Sequence, residues 1–566
     1  MCVVGSGPAG MTVARELANS GFSVNLLEAG GLGPDSLTQS LYSGRNTGRP
    51  YFPLDGARLR YFGGSSNHWL ENGGLRSRPY DASDFERHDW IPNSGWPFNR
   101  QHLEPYYKRA QLLCALGPFE YDIAGWVGGD DDAWLTLRDG EIYTGMFQYA
   151  ARDLYRQNQR NREQVDESSL LNVYLNANVV EIECEELVGA VTGIRACTLT
   201  GRTFSARAKA YVIASGGIEN ARLLLASTST YPLGIGNQHD LVGRYFMEHL
   251  HVISGRLVPF DPSRIPEAAI YARKVRREVD STGALMFGAE LRAREQIGNV
   301  CALLTPEDDE SSSAGVMAIR QLLAARRHNQ LTGSPLNVAR NLLSDADHRR
   351  ALRDLLAPLS QVPGDFREIA LTAARRATRR PFRPTLMQML VQAEQVPNPD
   401  SRVHLNSHRD RLGLPRVELD WRLTDLDMKT IRRAQELIDE DFRRRGIGRV
   451  EGFYGDEQPL PAIHGSWHHI GTTRMHESER HGVVDSNCRV HGLSNLYMAG
   501  SSVFPTGGHT TPTLTIVALA LRLAERLQAE LGATPSIDGE IETHVNGTSA
   551  EGIEVASTVD SAEDAA

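Results

Sequence analysis

The sequence has little of several features that mark particular classes of protein. Its six cysteines stand far apart and form no C-x-x-C pair, which argues against a disulfide or zinc framework and favours a reducing compartment. No apolar run reaches the ~18 residues of a membrane-spanning helix. Acidic residues (70) outnumber Lys and Arg (60), so the formal charge of -10 provides no basic field for nucleic acid. We expect a cytoplasmic protein with no membrane span and no nucleic-acid partner.

The chain is long enough for more than one domain. A single hydrophobic core usually stops growing at ~250–300 residues, and this sequence has 566. From 50 to 118 it is rich in Gly, Asn, Trp and Pro with little periodicity, which predicts long ordered loops over a ligand. Between 252 and 450 the composition changes to helical Arg/Leu/Ala blocks, a strand-like segment and a helix, which we interpret as a second domain.

A glycine-rich turn near the start predicts a dinucleotide site. Gly5-Ser6-Gly7-Pro8-Ala9-Gly10 follows a strand and opens a helix, and Glu28 ends the next strand. The first glycine permits the tight turn, the second lets the backbone approach a pyrophosphate, and the third lets helix pack on strand. Glu28 can accept hydrogen bonds from ribose hydroxyls. Only four residues precede the turn, which predicts that the true start of the chain lies upstream.

The loops that follow favour FAD as the dinucleotide. An enzyme that uses only a nicotinamide cofactor would ordinarily continue with further regular βαβ units. A nicotinamide-dependent flavoprotein reductase should contain a second G-x-G-x-x-G unit, and the sequence shows none.

Further segments resemble the glucose-methanol-choline (GMC) oxidoreductases in order and spacing. They are Phe62–Trp69 (FGGSSNHW), Ser94–Phe98 (SGWPF), Tyr211–Leu225 (YVIASGGIENARLLL), Gly243–His249 (GRYFMEH), His468–Met475 (HHIGTTRM) and Asn495–Thr515. The resemblance runs to about Gln528. It implies an FAD-dependent alcohol oxidoreductase, an oxidase or a dehydrogenase, that takes a hydride from a carbinol carbon onto flavin N5.

The resemblance also implies a fold and a set of FAD contacts. The fold class is α/β, with a Rossmann-like FAD-binding domain and a discontinuous α+β substrate-binding domain. We assign 1–90, 165–255 and 456–532 to the FAD-binding domain, 91–164 and 256–455 to the substrate-binding region, and 533–566 to a disordered acidic tail. Beyond Gly5, Gly7, Pro8, Ala9, Gly10 and Glu28, the predicted FAD contacts are Gly63, Gly64, Ser65, Ser66, Asn67, His68, Val180, Ser215, Gly216, Asn220, Gly500, Ser501 and Thr513.

Alcohol oxidation needs a neutral base beside the flavin, and histidine suits that role near pH 7. The resemblance places the base at His468, with His464 and His469 as neighbouring competitors. The family's second His or Asn falls on Thr511, whose hydroxyl can donate one hydrogen bond but cannot share proton work as an imidazole can. This leaves Thr511 as a candidate donor to the substrate oxygen and His509 as a candidate second base. For each residue the alternative is a merely structural role.

The resemblance leaves several alternatives open. His68 lies where some sugar-oxidising relatives attach FAD covalently, although many bacterial members with this loop hold it without a bond. We expect a small-molecule alcohol substrate, on a sugar, glycoside, aminoglycoside or polyol, and oxygen or another electron acceptor. Acids such as Glu71, Glu248 and Glu394 could meet substrate ammonium groups. The rivals are a flavin-binding protein without efficient turnover, an enzyme that oxidises a non-sugar alcohol, and a metal enzyme. For the metal enzyme the candidate ligands are His464, His468 and His469, beside which no carboxylate or Cys completes a set. The sequence does not indicate an oligomeric state.

Overall fold

The computed structural model describes residues 1–69, 74–127, 134–150, 168–187, 189–307, 384–452 and 463–532. Helices in these ranges are α1 (Pro8–Asn19), α2 (Ser36–Gln39), α3 (Arg100–Leu113), α4 (Gly217–Ala226), α5 (Ala289–Glu295), α6 (Asp425–Arg444) and α7 (Thr513–Leu531). The predicted tail at 533–566, residues 308–383 of the predicted second domain, and Glu71 lie outside the described residues.

The strands of the described residues form four sheets. In chain order they are β1 (Cys2–Val4), β2 (Val24–Leu27), β3 (Arg45–Asn46), β4 (Arg76–Ser77), β5 (Ile142–Tyr149), β6 (Leu171–Tyr174), β7 (Asn178–Glu185), β8 (Ala190–Cys197), β9 (Thr203–Ala206), β10 (Tyr211–Ile213), β11 (His249–Pro259), β12 (Lys274–Arg276), β13 (Val279–Phe287), β14 (Val300–Glu307), β15 (Leu386–Glu394), β16 (Arg402–Arg409), β17 (Pro415–Asp420), β18 (Gly448–Gly452) and β19 (Leu496–Met498).

A parallel sheet of five strands carries the glycine turn. Its order is β19-β10-β1-β2-β6, and Val3 of the central strand is in register with Val212 on one side and Leu26 on the other. The residues of β1, β2 and β10 are all buried, as strands covered on both faces require. Helix α1 leaves β1 through the turn, which confirms the predicted βαβ unit.

An antiparallel sheet forms the second large layer. Its order is β18-β11-β15-β14-β13-β5-β4, with β12 paired to β13. Strand β11 begins at His249, and the segment 247–251 is bridged twice to the loop before residue 471, at Met247 with Ile470 and at His251 with His464. Two smaller sheets, β16-β17-β3 and β7-β8-β9, complete the described strands. The layer therefore presents the start of β11 and its partner loop to the parallel sheet.

The prediction of loops throughout 50–118 was wrong at its C-terminal part, where α3 forms. Asn99 caps this helix by accepting a hydrogen bond from the His102 backbone N–H at 3.1 Å. The hydroxyls of Tyr107 and Thr515 lie 2.9 Å apart, which joins α3 to α7. Packing against a later helix stabilises a segment whose own periodicity is weak. No helix in the described ranges is both long and apolar enough to cross a bilayer.

Candidate active site

A cavity of about 670 Å³ is lined by residues from both large sheets, a volume typical of small-molecule and cofactor sites. Residues that follow β1, β2 and β10 form part of its wall, and Arg76 of β4, His251 of β11 and Leu390 of β15 form another part. A ligand in this cavity would contact the glycine turn and the antiparallel sheet together.

The three glycines of the first turn have different surroundings. Gly5 has a φ of +97°, and a Cβ there would lie 2.7 Å from the Ala214 carbonyl oxygen. A Cβ on Gly10 would lie 1.9 Å from the Gly5 carbonyl oxygen, so Gly10 packs helix on turn and does not line the cavity. A Cβ on Gly7 would meet no described atom within 4 Å, and Gly7, Pro8 and Ala9 line the cavity. The backbone at Gly7 is therefore open to a ligand.

Glu28 follows β2 and is held by backbone and hydroxyl donors. Its carboxylate accepts hydrogen bonds from the Ser6 N–H at 3.0 Å, from the Ser6 hydroxyl, and from the Gly30 N–H at 2.9 Å. Ser6 also accepts a hydrogen bond from the Gly63 N–H at 2.9 Å. Ser6 thus joins the first turn to the second glycine loop, and it orients Glu28 at the cavity wall.

The second glycine loop folds into a 3-10 helix, Gly64–Trp69. Gly64, Ser65, Ser66 and His68 line the cavity, whereas Gly63 and Asn67 do not. The Asn67 amide donates to the carbonyl oxygens of Phe62 and Gly64 at 3.1 and 2.8 Å, which holds the shape of the loop.

The predicted contacts between 177 and 220 separate into lining and supporting residues. Ser215 and Gly216 line the cavity, and so does Val179, in place of the predicted Val180. Asn220 lies behind the wall. Its side chain accepts from the Ser215 N–H at 2.8 Å and donates to the Ala499 carbonyl at 3.1 Å and the Ser502 hydroxyl at 2.9 Å. It therefore joins this turn to the one that opens α7.

The turn before α7 contributes Gly500, Ser501, Thr511 and Thr513 to the wall. Gly500 has a φ of +106°, a conformation that favours glycine. The Ser501 hydroxyl donates to the His469 carbonyl at 2.7 Å. The Thr511 hydroxyl donates to the Arg76 carbonyl, so its one hydrogen is directed at the protein.

His468 lies in a loop that is clamped to the start of β11. Backbone hydrogen bonds join Met247 with Ile470, both at 3.0 Å, and His251 with His464, at 3.0 and 3.2 Å. The half-buried His468 side chain lines the cavity. Burial, followed by the nearby His249 and His251, holds the pKa of His468 well below its ordinary value. At neutral pH this imidazole is uncharged.

Apart from His68, four histidines line the cavity, and we call these four the histidine wall: His251, His464, His468 and His469. The Nε2 of His469 lies 3.0 Å from the Tyr51 hydroxyl, and the Nε2 of His251 lies 2.7 Å from the Gln392 amide oxygen. Burial lowers the pKa of both rings to about 3. Both are neutral and already bonded to the protein.

His509 does not line the cavity. The side chain is 1% exposed, its Nδ1 lies 3.7 Å from an Asp81 oxygen, and its ring packs against Phe147. With Asp84 and Asp81 it forms the one His/Asp group among the described residues that has metal-ligand spacing. The histidines that we weighed as metal ligands, His464, His468 and His469, do not form such a group. His509 thus lies outside the cavity that His468 lines.

Comparison with known proteins agrees with this geometry. Residues 397–520 match the family model of the GMC oxidoreductases, and residues 3–71 match the NAD(P)-binding Rossmann-like domain. Residues 397–520 therefore form a GMC oxidoreductase domain, and residues 3–71 form a Rossmann-like one. The predicted family and fold class are therefore confirmed, and the protein is an enzyme of the oxidoreductase class.

Several relatives match along nearly the whole length of the chain. 6'''-Hydroxyparomomycin C oxidase of Streptomyces lividus is 24% identical over 94% of this chain and 92% of its own. The fructose dehydrogenase large subunit of Gluconobacter japonicus is 22% identical over 94% and 97%. An FAD-dependent oxidoreductase from Chaetomium thermophilum covers 94% of this chain and 99% of its own at 17% identity, with a TM-score of 0.51, which shows a shared fold.

The cavity fits FAD, the cofactor that the sequence predicts. Gly7 is open to a pyrophosphate, the α1 N-terminus supplies partial positive charge, and Glu28 is held at the wall. Arg58 also lines the cavity. It is 6% exposed, and its guanidinium nitrogens make no hydrogen bond within the described residues, although Glu219 lies 3.4 Å away. Buried donors without acceptors suit the polar groups of a bound dinucleotide.

Sequence reasoning missed several lining residues of the cavity. They are Ser6, Ala177, Val179, Arg58, Arg60, Arg76 and His251. Ser6 lies between two predicted glycines, and Arg58 and Arg60 directly precede the second glycine loop, so their positions carried a signal. Arg76 and His251 carried none, because only the pairing of distant strands brings them to the wall.

Proposed function

We propose that the protein oxidises an alcohol group of a sugar, glycoside, aminoglycoside or polyol to a carbonyl, with His468 as the base that accepts the hydroxyl proton. FAD, when bound, supplies the hydride acceptor at N5. The observation that carries the proposal is the His468 imidazole, which is neutral and lines the same cavity as the glycine turns.

Two members of the histidine wall, His251 and His469, are already hydrogen-bonded to the protein, which supports the choice of His468 as the base. The Gln392 amide oxygen is an acceptor, so the Nε2 of His251 donates to it. His469 is occupied by Tyr51, and Glu248 lies 3.9 Å from the same ring nitrogen. The Nε2 of His468 has no hydrogen-bond partner in the described part of the chain. It is thus a nitrogen that a substrate hydroxyl can reach without breaking an existing bond.

Arg76 is the residue that we propose as the donor to the substrate oxygen. The Thr511 hydroxyl already donates to the Arg76 carbonyl, and His509 is outside the cavity. A guanidinium has five N–H donors, and the Arg76 side chain donates to Gln392 and stacks on Phe147 with Cζ 4.9 Å from the ring centroid. Donors are therefore left for hydroxyl oxygens of a substrate.

The substrate class rests on the relatives and on the charges of the wall. Relatives are named for oxidation of an aminoglycoside, of fructose and of C-glycosides. Glu248 and Glu394 do not line the cavity. Both accept backbone hydrogen bonds instead, from Ser466 and His468 and from Gly507 and Gly508. Among the described residues that line the cavity, the carboxylates are Glu28 and Glu219. Beside His468 the charged lining residue is therefore the donor Arg76, which suits the hydroxyl groups of a substrate.

A second candidate is a non-sugar alcohol. 2-Methyl-1,2-propanediol dehydrogenase of Mycolicibacterium austroafricanum is 24% identical over 92% of this chain and 94% of its own. Anaerobic mixing of the yellow protein with neutral glycosides, aminoglycosides, fructose and short diols separates the candidates by which class bleaches the flavin. Repeating the reaction in air and with an artificial acceptor then distinguishes an oxidase from a dehydrogenase.

Replacement of His468 tests the base. In His468→Ala we expect FAD to stay bound, because the glycine turns are unchanged, and the rate of flavin reduction to fall by ~10²–10⁴-fold, the usual contribution of a general base. Stopped-flow absorbance measures that rate, and the flavin-to-protein ratio measures binding. His408→Ala, on an exposed part of β16, is the control. Flavin reduction in His468→Ala at the wild-type rate would exclude this histidine as the base. A wild-type protein that binds no flavin would exclude the proposed reaction itself.

A further inference from the structure

His249 and His468 face each other through their Nδ1 atoms, which lie 2.8 Å apart. Two ring nitrogens at that distance form a hydrogen bond only if one carries a hydrogen and the other does not. His249 is fixed at the start of β11, and His468 lies in the loop that is bridged to this strand at both ends. The pair is therefore held in place by backbone on both sides.

The second nitrogen of His249 determines where the shared hydrogen lies. Its Nε2 is 3.0 Å from the Gly507 carbonyl oxygen, which can only accept. His249 is fully buried, and burial lowers its pKa to about 4, so the ring has one N–H at neutral pH. That N–H is at Nε2. The Nδ1 of His249 is then a bare acceptor, and His468 must donate from its own Nδ1.

Ser466 leads to the same assignment independently. Its Oγ lies 3.1 Å from the His249 carbonyl oxygen and 3.0 Å from the His468 Nδ1. The carbonyl can only accept, so it receives the one hydroxyl hydrogen. Ser466 must then accept from the Nδ1–H of His468.

We infer that His249 is a positioning residue, which acts through the Gly507 carbonyl to hold His468 in the Nδ1–H tautomer and leave the Nε2 lone pair to the cavity. The inference rests on the proposed function, since only a base requires that lone pair. A neutral imidazole with its hydrogen on Nε2 would present a donor to the substrate hydroxyl and could not take its proton. In serine proteases, where a buried Asp holds the base histidine, loss of the correct tautomer lowers the rate by ~10⁴-fold.

The tautomer can be observed directly in the whole FAD-bound protein. Long-range ¹H–¹⁵N correlation of ¹⁵N-histidine-labelled enzyme at neutral pH distinguishes a hydrogen on Nδ1 from one on Nε2, and the signals lost in His468→Gln identify this ring. We expect Nδ1–H for His468 and Nε2–H for His249. A hydrogen on Nε2 of His468 would overturn the inference. The result does not depend on turnover, so it stands apart from failure of the proposed function, which His468→Ala reports.

Removing the two acceptors gives a second test. His249→Phe keeps a ring but no nitrogen, and Ser466→Ala removes the hydroxyl. Because either acceptor can hold the Nδ1–H, we expect each single variant to reduce flavin within ~10-fold of wild type and the double variant to lose ~10²–10⁴-fold, with FAD still bound and substrate Kd within ~3-fold. His408→Phe is the control. If the double variant keeps the Nδ1–H signal of His468 and the wild-type rate, His249 does not position the base.

Discussion

Replacing Glu248 by glutamine should weaken the fold more at pH 5.5 than at pH 8. The carboxyl group is 1% exposed and accepts hydrogen bonds from the Tyr51 hydroxyl and from the backbone N–H groups of Ser466 and His468, at 3.1 and 2.9 Å. Burial raises the pKa of Glu248 from 4.5 to about 7. Between these values the folded state holds a proton that the unfolded chain has lost. Stability from this group is therefore present at low pH and is lost as pH rises through 7.

The two effects have different magnitudes. Proton uptake by Glu248 between pH 8 and pH 5.5 corresponds to ~2 kcal/mol, and glutamine, which does not titrate there, lacks it. Glutamine also keeps one acceptor oxygen but turns an NH₂ group toward a present donor, which costs ~1–2 kcal/mol at either pH. We expect Glu248→Gln to be less stable than wild type by ~1–2 kcal/mol at pH 8 and by ~3–4 kcal/mol at pH 5.5.

Urea unfolding with excess FAD, followed by tryptophan fluorescence at both pH values, measures the two differences. Comparison of midpoints requires that the urea dependence of the free energy of unfolding be the same in both proteins. Glu86→Gln, at an exposed position, is the control. Equal destabilisation of Glu248→Gln at pH 5.5 and pH 8 would refute the proton uptake.

Three further outcomes follow from the site. Gly10→Ala should yield protein without FAD, because its Cβ would lie 1.9 Å from the Gly5 carbonyl oxygen. The control Gly33→Ala, whose Cβ would meet no described atom within 4 Å, should stay yellow. The flavin absorbance of the two purified proteins measures the difference. Acid precipitation should release all flavin into the supernatant, and a yellow pellet would instead indicate a covalent bond to His68. Because the pKa of His468 is lowered by burial, the rate of flavin reduction should stay level from pH 8 to pH 6.5 and fall only in more acidic buffer; a decline centred above pH 6.5 in stopped-flow traces would contradict the assignment.

The cofactor half of the cavity could be predicted because its signals are local. The strand, glycine turn and helix from Cys2 to Asn19 occupy consecutive residues. Gly5 and Gly10 are required by close contacts with Ala214 and with Gly5 itself, and Gly7 leaves the backbone open to the cavity. One difference from the prediction is a shift of register. Val179 lines the cavity where Val180 was predicted, since successive residues of a strand point to opposite faces.

On the reaction side, the sequence predicted the lining residues of two local segments, His464, His468 and His469 in one and Thr511 in the other. The partners of these histidines come from far away. His249 lies 219 residues earlier, and the Gln392 that accepts from His251 lies 141 residues after it. No periodicity or composition indicates such pairs, because they depend on the order of strands in the antiparallel sheet. Helix α3 was missed for a related reason, since its stability comes from packing on α7.

Thr511 in place of a second His or Asn does not prevent His468 from acting as the base. The two tasks of the site, accepting the hydroxyl proton and holding the substrate oxygen, fall to different residues. A second imidazole at this position could have shared both proton transfer and the binding of the substrate oxygen. Here the tautomer of His468 is held from behind by His249 and Ser466, so the cavity side of the ring needs no partner to be a base. The site then still requires a donor to the substrate oxygen, and Arg76 lines the same cavity with N–H groups to spare. Thr511 then serves to fix the Arg76 backbone through its hydroxyl.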